Sequence, residues 1–309
     1  MLNRRAFLAA TAGAATEAKT AKPVVPKHII DTHTHFYDPT RPQGVPWPGK
    51  GEPILYQKTL PDRFLKAVKP FRITGTVVVE ASPWLEDNQW VLDVAKDNPI
   101  IVGLVGHLNP GAPEFRVHVA RFSKYPLFRG IRTGADLILR HLDRSEMVDD
   151  LNRMVDADWE LDIGGGARLF PDLVRLADRV PRLRQVINHL PYDLPPEDPA
   201  QKDARNALHE LGKRPQVYAK VSGVLRRVDG RVPDDVDFYR SMLDELWQVF
   251  GDDRVVYGSN WPVSDLLAPY SAVFKVVSEY VAGKGQEATD KYFWKNSMAA
   301  YKWIRRGKA

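Results

Sequence analysis

Apolar residues along this chain gather in short, nearly continuous runs, and most runs are followed by a stretch where apolar positions recur three and four apart. The runs predict strands at His28–His33, Ile73–Glu80, Ile100–Gly106, Phe128–Arg132, Trp159–Ile163, Arg184–His189, Gln216–Ser222 and Arg254–Ser259. Runs of this kind suit parallel strands buried on both faces. Helices are predicted over Leu85–Ala95, Asp172–Val180 and Phe238–Phe250, the last with Leu243, Leu246, Trp247 and Phe250 on one stripe. Eight strand–helix units in succession predict an α/β fold, a (β/α)8 TIM barrel. A doubly wound open sheet is the alternative, but no Gly-x-Gly-x-x-Gly follows a strand, and Gly164–Gly166 reads as a flexible loop. The loop from Phe36 to Tyr56 is long and rich in Pro and Gly, which suits a functional lid or a rigid surface excursion.

Composition narrows the classes. The 309 residues are 44% hydrophobic and 27% charged, enough apolar content for a core and too little for disorder over most of the length. No apolar run approaches a membrane span, so no integral membrane segment is expected. Cysteine is absent, which excludes disulfides, thiolate metal sites and a cysteine nucleophile. The net charge of +5 comes from Lys and Arg scattered among nearly as many acids, a solvated surface with no nucleic-acid footprint. Residues 1–22 differ in character: Asn3-Arg4-Arg5-Ala6-Phe7-Leu8 and the Ala, Thr and Gly that follow resemble a twin-arginine export signal. They predict a periplasmic protein, a cytoplasmic one with a frayed helix being the alternative. Residues 23–309 are then a single barrel domain.

In such a barrel the chemistry sits at the C-terminal strand ends. There the sequence places His33 and His35, Glu80, Arg129 and Arg132, His189, and Asn260, with Asp265 just beyond the eighth strand. His33 and His35 stand two apart on an extended strand, so both imidazoles face one side and can chelate one divalent ion. Trp47, Trp84 and Trp261 fall on loops near the expected mouth, as stacking surfaces for a ring or as packing residues.

Asp31-Thr32-His33-Thr34-His35-Phe36-Tyr37-Asp38-Pro39 resembles the first strand of amidohydrolase-superfamily barrels, and more narrowly the amidohydrolase-2 type with the dicarboxylate and sugar lactonases. Val78–Ser82, Phe128–Arg132, Ile187–His189 and Tyr257-Gly258-Ser259-Asn260-Trp261-Pro262-Val263 match further motifs in order. The resemblance implies metal or substrate ligands at His33, His35 and His189, with Glu80 and Asn260 as further metal ligands. It implies Arg132 and Arg129 as holders of a substrate carboxylate or lactone oxygen. One divalent ion, zinc by preference, is the implied cofactor, although some relatives work without metal. Where family members usually carry Asp as general base, this chain has Asn260, which offers a carbonyl oxygen but takes no proton. Glu80, Asp265, His189 or metal-activated water must serve instead. The implied activity is hydrolysis of a lactone or similar cyclic ester of a small carboxylated or polyhydroxylated molecule. The alternatives are a metal-dependent non-oxidative decarboxylase and, because of Asn260, a non-catalytic periplasmic ligand-binding barrel. The expected partner is a small-molecule substrate, with an oligomer possible.

Overall fold

The computed structural model describes residues 24–307 except 193, 195 and 196, so the twin-arginine-like segment lies outside the described residues. Eight strands form one parallel sheet in sequence order: β1 (Ile30–Thr34), β2 (Gly75–Val79), β3 (Ile101–Gly106), β4 (Phe128–Arg132), β5 (Glu160–Ile163), β6 (Arg184–Ile187), β7 (Val217–Val221) and β8 (Val255–Tyr257). Helices alternate with them on the outside: α1 (Pro61–Val68), α2 (Leu85–Lys96), α3 (Phe115–Phe122), α4 (Ala135–His141), α5 (Ser145–Asp156), α6 (Phe170–Arg179), α7 (Gln201–Gly212), α8 (Val236–Phe250) and α9 (Tyr270–Ala282). The (β/α)8 barrel expected from the pattern is the fold observed.

Local chemistry explains the element ends. Asp235 caps α8 by accepting from the Asp237 amide at 2.9 Å, and Gly251, at φ 67°, ends it. Between these the predicted stripe buries Tyr239, Leu243, Leu246, Trp247 and Phe250. The sixth and eighth strands stop short of the predicted ends because His189 and Asn260 turn into the left-handed region, at φ 62° and 61°.

The barrel closes between β1 and β8 largely without a ladder. A bridge from Thr34 to Trp261 is supported by Thr32 Oγ1 donating to the Tyr257 carbonyl at 2.6 Å. The Ser259 amide donates to Asp31 Oδ1 at 2.9 Å. Gly258 permits the approach, since a Cβ there would stand 2.8 Å from His33 Cβ. A large apolar cluster packs the strands against the helices. A second one joins Ile30, Val77, Val186 and Val256, from strands all round the barrel, to Tyr301 and Trp303, so these C-terminal rings plug the barrel floor. The plug is held by Ile304, whose amide donates to the Val102 carbonyl at 3.0 Å, and by Arg306, which donates to the carbonyls of Ala95, Asn98 and Ile101. No described helix is long and apolar enough to cross a membrane.

Candidate active site

The strand ends and the Phe36–Tyr56 loop deliver six of the predicted residues to one place. His35, Trp47, Glu80, Arg132, His189 and Asn260 line an open cleft of about 340 Å³ at the barrel mouth. His33 lies beneath it, fully buried, its ring centroid 5.1 Å from that of His35 and 4.6 Å from that of His189. The pairing of β1 with β2 shifts register between Asp31 and Thr34, at the point where these histidines leave the strand.

Each ring has a defined setting. His35 Nδ1 faces the Val79 and Glu80 carbonyls at 3.0 and 3.1 Å. Carbonyls only accept, so Nδ1 carries the proton and Nε2 keeps its lone pair. His189 is held by Ser222, whose Oγ accepts from the His189 amide at 2.8 Å and lies 3.3 Å from Nδ1. Gly223 belongs to the same arrangement, because a Cβ there would stand 2.7 Å from the His189 carbonyl. Both ring nitrogens of His33 are buried without a partner. Burial, reinforced by the Arg132 guanidinium, lowers His35 to about 3. Burial, then Arg132 and Lys220, lowers His189 to about 4. His33 is pushed well below the usual imidazole value by burial and by Lys220. All three are therefore neutral at pH 7, as a metal ligand or a proton acceptor must be.

Arg132 and Glu80 form one unit. Arg132 Nε donates to Glu80 Oε1 at 2.8 Å, and Nη2 donates to the Glu80 carbonyl at 2.7 Å. That leaves Nη1 and Glu80 Oε2 for a ligand. Asn260 Oδ1 is buried with no hydrogen-bond partner, in a backbone conformation that costs a non-glycine residue energy.

Four predicted residues are not brought to the cleft. Arg129 is the second residue of β4, and its guanidinium turns away from the mouth to the Tyr301 and Pro126 carbonyls and toward Asp158. Asp265 follows β8 in a short 3-10 turn and faces Arg63 at 3.7 Å, with burial raising its pKa. Trp261 is buried against Phe36 and Phe64 with Arg63 over its ring, so it packs and does not stack on a ligand. Trp84 stands exposed at the start of α2. Of the tryptophans, Trp47 reaches the site, edge-on to His35 with centroids 5.7 Å apart.

The sequence also places Asn188 and Lys220 at strand ends, but sequence reasoning missed the acids that hold them below the cleft. Lys220, fully buried on β7, donates to Asp162 Oδ2 at 2.6 Å; Asp162 also accepts from Tyr301 Oη at 2.8 Å and Asn188 Nδ2 at 3.2 Å. Glu160 and Asp162 stand two apart on β5 and share its inner face. Two acids at that spacing in a strand otherwise buried were the available signal.

A cation has suitable donors here. Two imidazoles bound tetrahedrally to one ion place their ring centroids ~5 Å apart, close to the separations seen. The orphaned nitrogens of His33 and the orphaned oxygen of Asn260 want a partner. Among the described residues no three His, Asp or Glu side chains are already gathered as a metal cage.

Parallel strands, chemistry at their C-terminal ends and a His-x-His on the first strand define the class. The chain belongs to the amidohydrolase family, whose sequence profile matches residues 30–303. It is 32% identical to the L-fucono-1,5-lactonase of Burkholderia ambifaria, across 78% of this chain and 82% of that protein. To the L-fucono-1,5-lactonase of Burkholderia multivorans it is 26% identical, across 87% and 94%. The fold also matches the crystal structure of a zinc-bound amidohydrolase from Burkholderia multivorans, with a TM-score of 0.79 at 24% identity, covering 90% of this chain and 100% of the other.

Proposed function

We propose that the protein is a hydrolase that opens the ring ester of a small polyhydroxylated lactone. The observation that carries this reading is the cleft, where a free guanidinium nitrogen, a carboxylate oxygen and neutral imidazoles converge in a space of about 340 Å³. The two lactonase relatives support it. A site of that size suits one sugar-sized ring.

Arg132 Nη1 donates to the carbonyl oxygen as negative charge develops there. Glu80 Oε2 accepts the proton of the attacking water, because Asn260 cannot. The new C–O bond forms as the carbonyl π pair moves onto its oxygen; collapse of this tetrahedral oxyanion breaks the ring C–O bond, and Glu80 returns the proton to the departing ring oxygen, giving a hydroxy acid. Arg132 keeps Glu80 aimed, and Trp47 walls the ring on one side. His33 and His35, with Asn260 Oδ1 or His189, would hold a divalent ion, zinc by donor chemistry. When bound, that ion supplies Lewis-acid polarisation of the carbonyl and a more acidic water.

A panel of aldonolactones tests the reading: acid release measured by pH indicator, with metal content measured in parallel. Failure on every lactone sinks it, and CO₂ release from a carboxylated aromatic would install the decarboxylase instead. Export rests on residues 1–22 alone, and we propose it on that basis. Periplasmic fractionation of the full chain, abolished by Arg4→Lys with Arg5→Lys, is the expected result.

A further inference from the structure

Behind Trp47 lies a second, smaller cavity. It has room for about 20 Å³, sits between the Phe36–Tyr56 loop and α2, and shares Trp47, Glu80 and Ala81 with the catalytic cleft. Trp47 lines both.

Arg41 reaches this cavity from the loop with its side chain 9% exposed. Its guanidinium lies 4.5 Å from the Trp90 ring centroid. Nη1 and Nη2 donate to the two oxygens of Asp87 at 2.8 and 3.2 Å, and Nη2 also reaches the Gly44 carbonyl at 3.3 Å. Nε is buried and has no partner. A buried N–H without an acceptor is costly, and native structures rarely leave one.

Most other polar groups in the wall have partners: Asp87 is bound by Arg41, Asn88 by the backbone of His107, Glu80 Oε1 by Arg132, and Ser82 Oγ by the Trp84 amide. The remainder is mostly apolar, with Phe36, Val45, Val91 and Leu104. The volume admits one water-sized group. Among the residues lining the cavity, Arg41 Nε is the buried polar atom without a partner. A hydroxyl carried by a molecule in the cleft would accept from that donor, with its carbon set against the apolar wall.

We propose that this cavity is a specificity subsite that takes one hydroxyl on the exocyclic carbon of the lactone, with Arg41 Nε–H donating to it. The proposal rests on the lactonase reading. It makes the Arg41–Asp87 pair more than a loop anchor: the pair orients the donor that reads the substrate.

The test compares kcat/KM for two lactones that differ only in carrying CH₂OH or CH₃ at that carbon. General damage to the enzyme cancels in the ratio. Wild type should prefer the hydroxymethyl lactone by roughly tenfold or more, since a site built to bond a hydroxyl rejects the analogue lacking it. Arg41→Met should bring the ratio to about one. Asp87→Ala removes the anchor and keeps Nε, so both rates should fall while the preference survives. Arg41→Lys keeps a cation opposite Asp87 without Nε and serves if Arg41→Met does not fold. A wild-type ratio within about twofold, a preference for the methyl compound, or a preference untouched in both Arg41 variants overturns the subsite. If wild type opens no lactone of the panel, these two included, the lactonase reading falls and the subsite with it.

Discussion

Two ion pairs stand one above the other in this barrel. Arg132 and Glu80 meet at the mouth, 21% and 16% exposed, and Lys220 and Asp162 meet in the interior, both 0% exposed. Each pair brings a cation within 2.8 Å of a carboxylate. At the mouth each partner keeps an atom for a ligand. In the interior every carboxylate oxygen of Asp162 is spoken for, by Lys220, Tyr301 and Asn188, and burial and Asp162 drive Glu160 beside it well above the usual carboxylate range. The same chemistry serves reaction in one place and architecture in the other. What separates them is water: a half-solvated pair can exchange partners at modest cost, and a dry pair cannot.

The sharpest way to break this contrast is to remove one interior partner. Lys220→Met leaves a carboxylate buried without its cation, which should cost about 3–5 kcal/mol and roughly 10 °C in Tm. Replacing both partners, Lys220→Met with Asp162→Leu, should recover much of that loss. An unchanged Tm in the single variant would show that the interior pair is not structural.

The mouth pair should fail in the opposite manner. Arg132→Ala is expected to lower lactone kcat/KM by roughly ten- to hundredfold, the worth of a charge-assisted bond, while unfolding stability stays within about 1 kcal/mol of wild type. Glu80→Gln should lower kcat at least about tenfold with a similarly small change in Tm. Loss of folding without loss of intrinsic turnover would reverse the two assignments.

The histidines link the two levels, and their titration predicts a pH window. His35 and His189 fall from 6.5 to about 3 and about 4 on folding, so each contributes stability present above pH 6.5 and lost as pH falls through the folded value. Asp31 acts in the other sense. Burial raises it to about 6, so its contribution is present below pH 3.8 and lost as pH rises through 6. Glu160 and Asp265, also raised by burial, act in the same sense as Asp31, but the three lowered imidazoles, His33 included, all titrate across this interval and outweigh them. Tm should hold above about pH 7 and decline from pH 6.5 towards 4; a Tm that rises across that interval contradicts the burial of the rings. The smallest effects belong to residues outside both pairs. Asp265→Asn and Trp84→Ala should leave kcat/KM within about twofold, and a larger drop in either would extend the site past the cleft.

The alternation of apolar runs and helical stripes was enough to read the barrel, because strands buried on both faces leave a dense apolar signature. The mouth was legible through His33, His35, Glu80, Arg132, His189 and Asn260, since polar groups at the ends of apolar strands have few other reasons to be there. Direction was not legible. Arg129 and Arg132 share a strand, yet a backbone that twists and shifts register decides which guanidinium faces the mouth. Trp261 and Trp47 look alike in a loop, and only the packing of Phe36 and Phe64 assigns the first to the core. Asp265 and Trp84 were near in sequence to the right positions and are held elsewhere by Arg63 and by solvent exposure. The Lys220–Asp162 pair and the Arg41–Asp87 anchor join residues 58 and 46 positions apart, and nothing local announces such partners.

The floor plug carries a consequence for how the barrel comes into being. Tyr301 and Trp303 enter the interior from the end of the chain, and Tyr301 completes the ring of donors around Asp162. A ribosome makes these residues after all eight strands. Until they emerge, the strands that precede them surround an unfilled space and an acid short of one donor. Synthesis order thus sets assembly order: closure of the interior is a late event, governed by contacts far apart in sequence, and contacts of that kind form slowly.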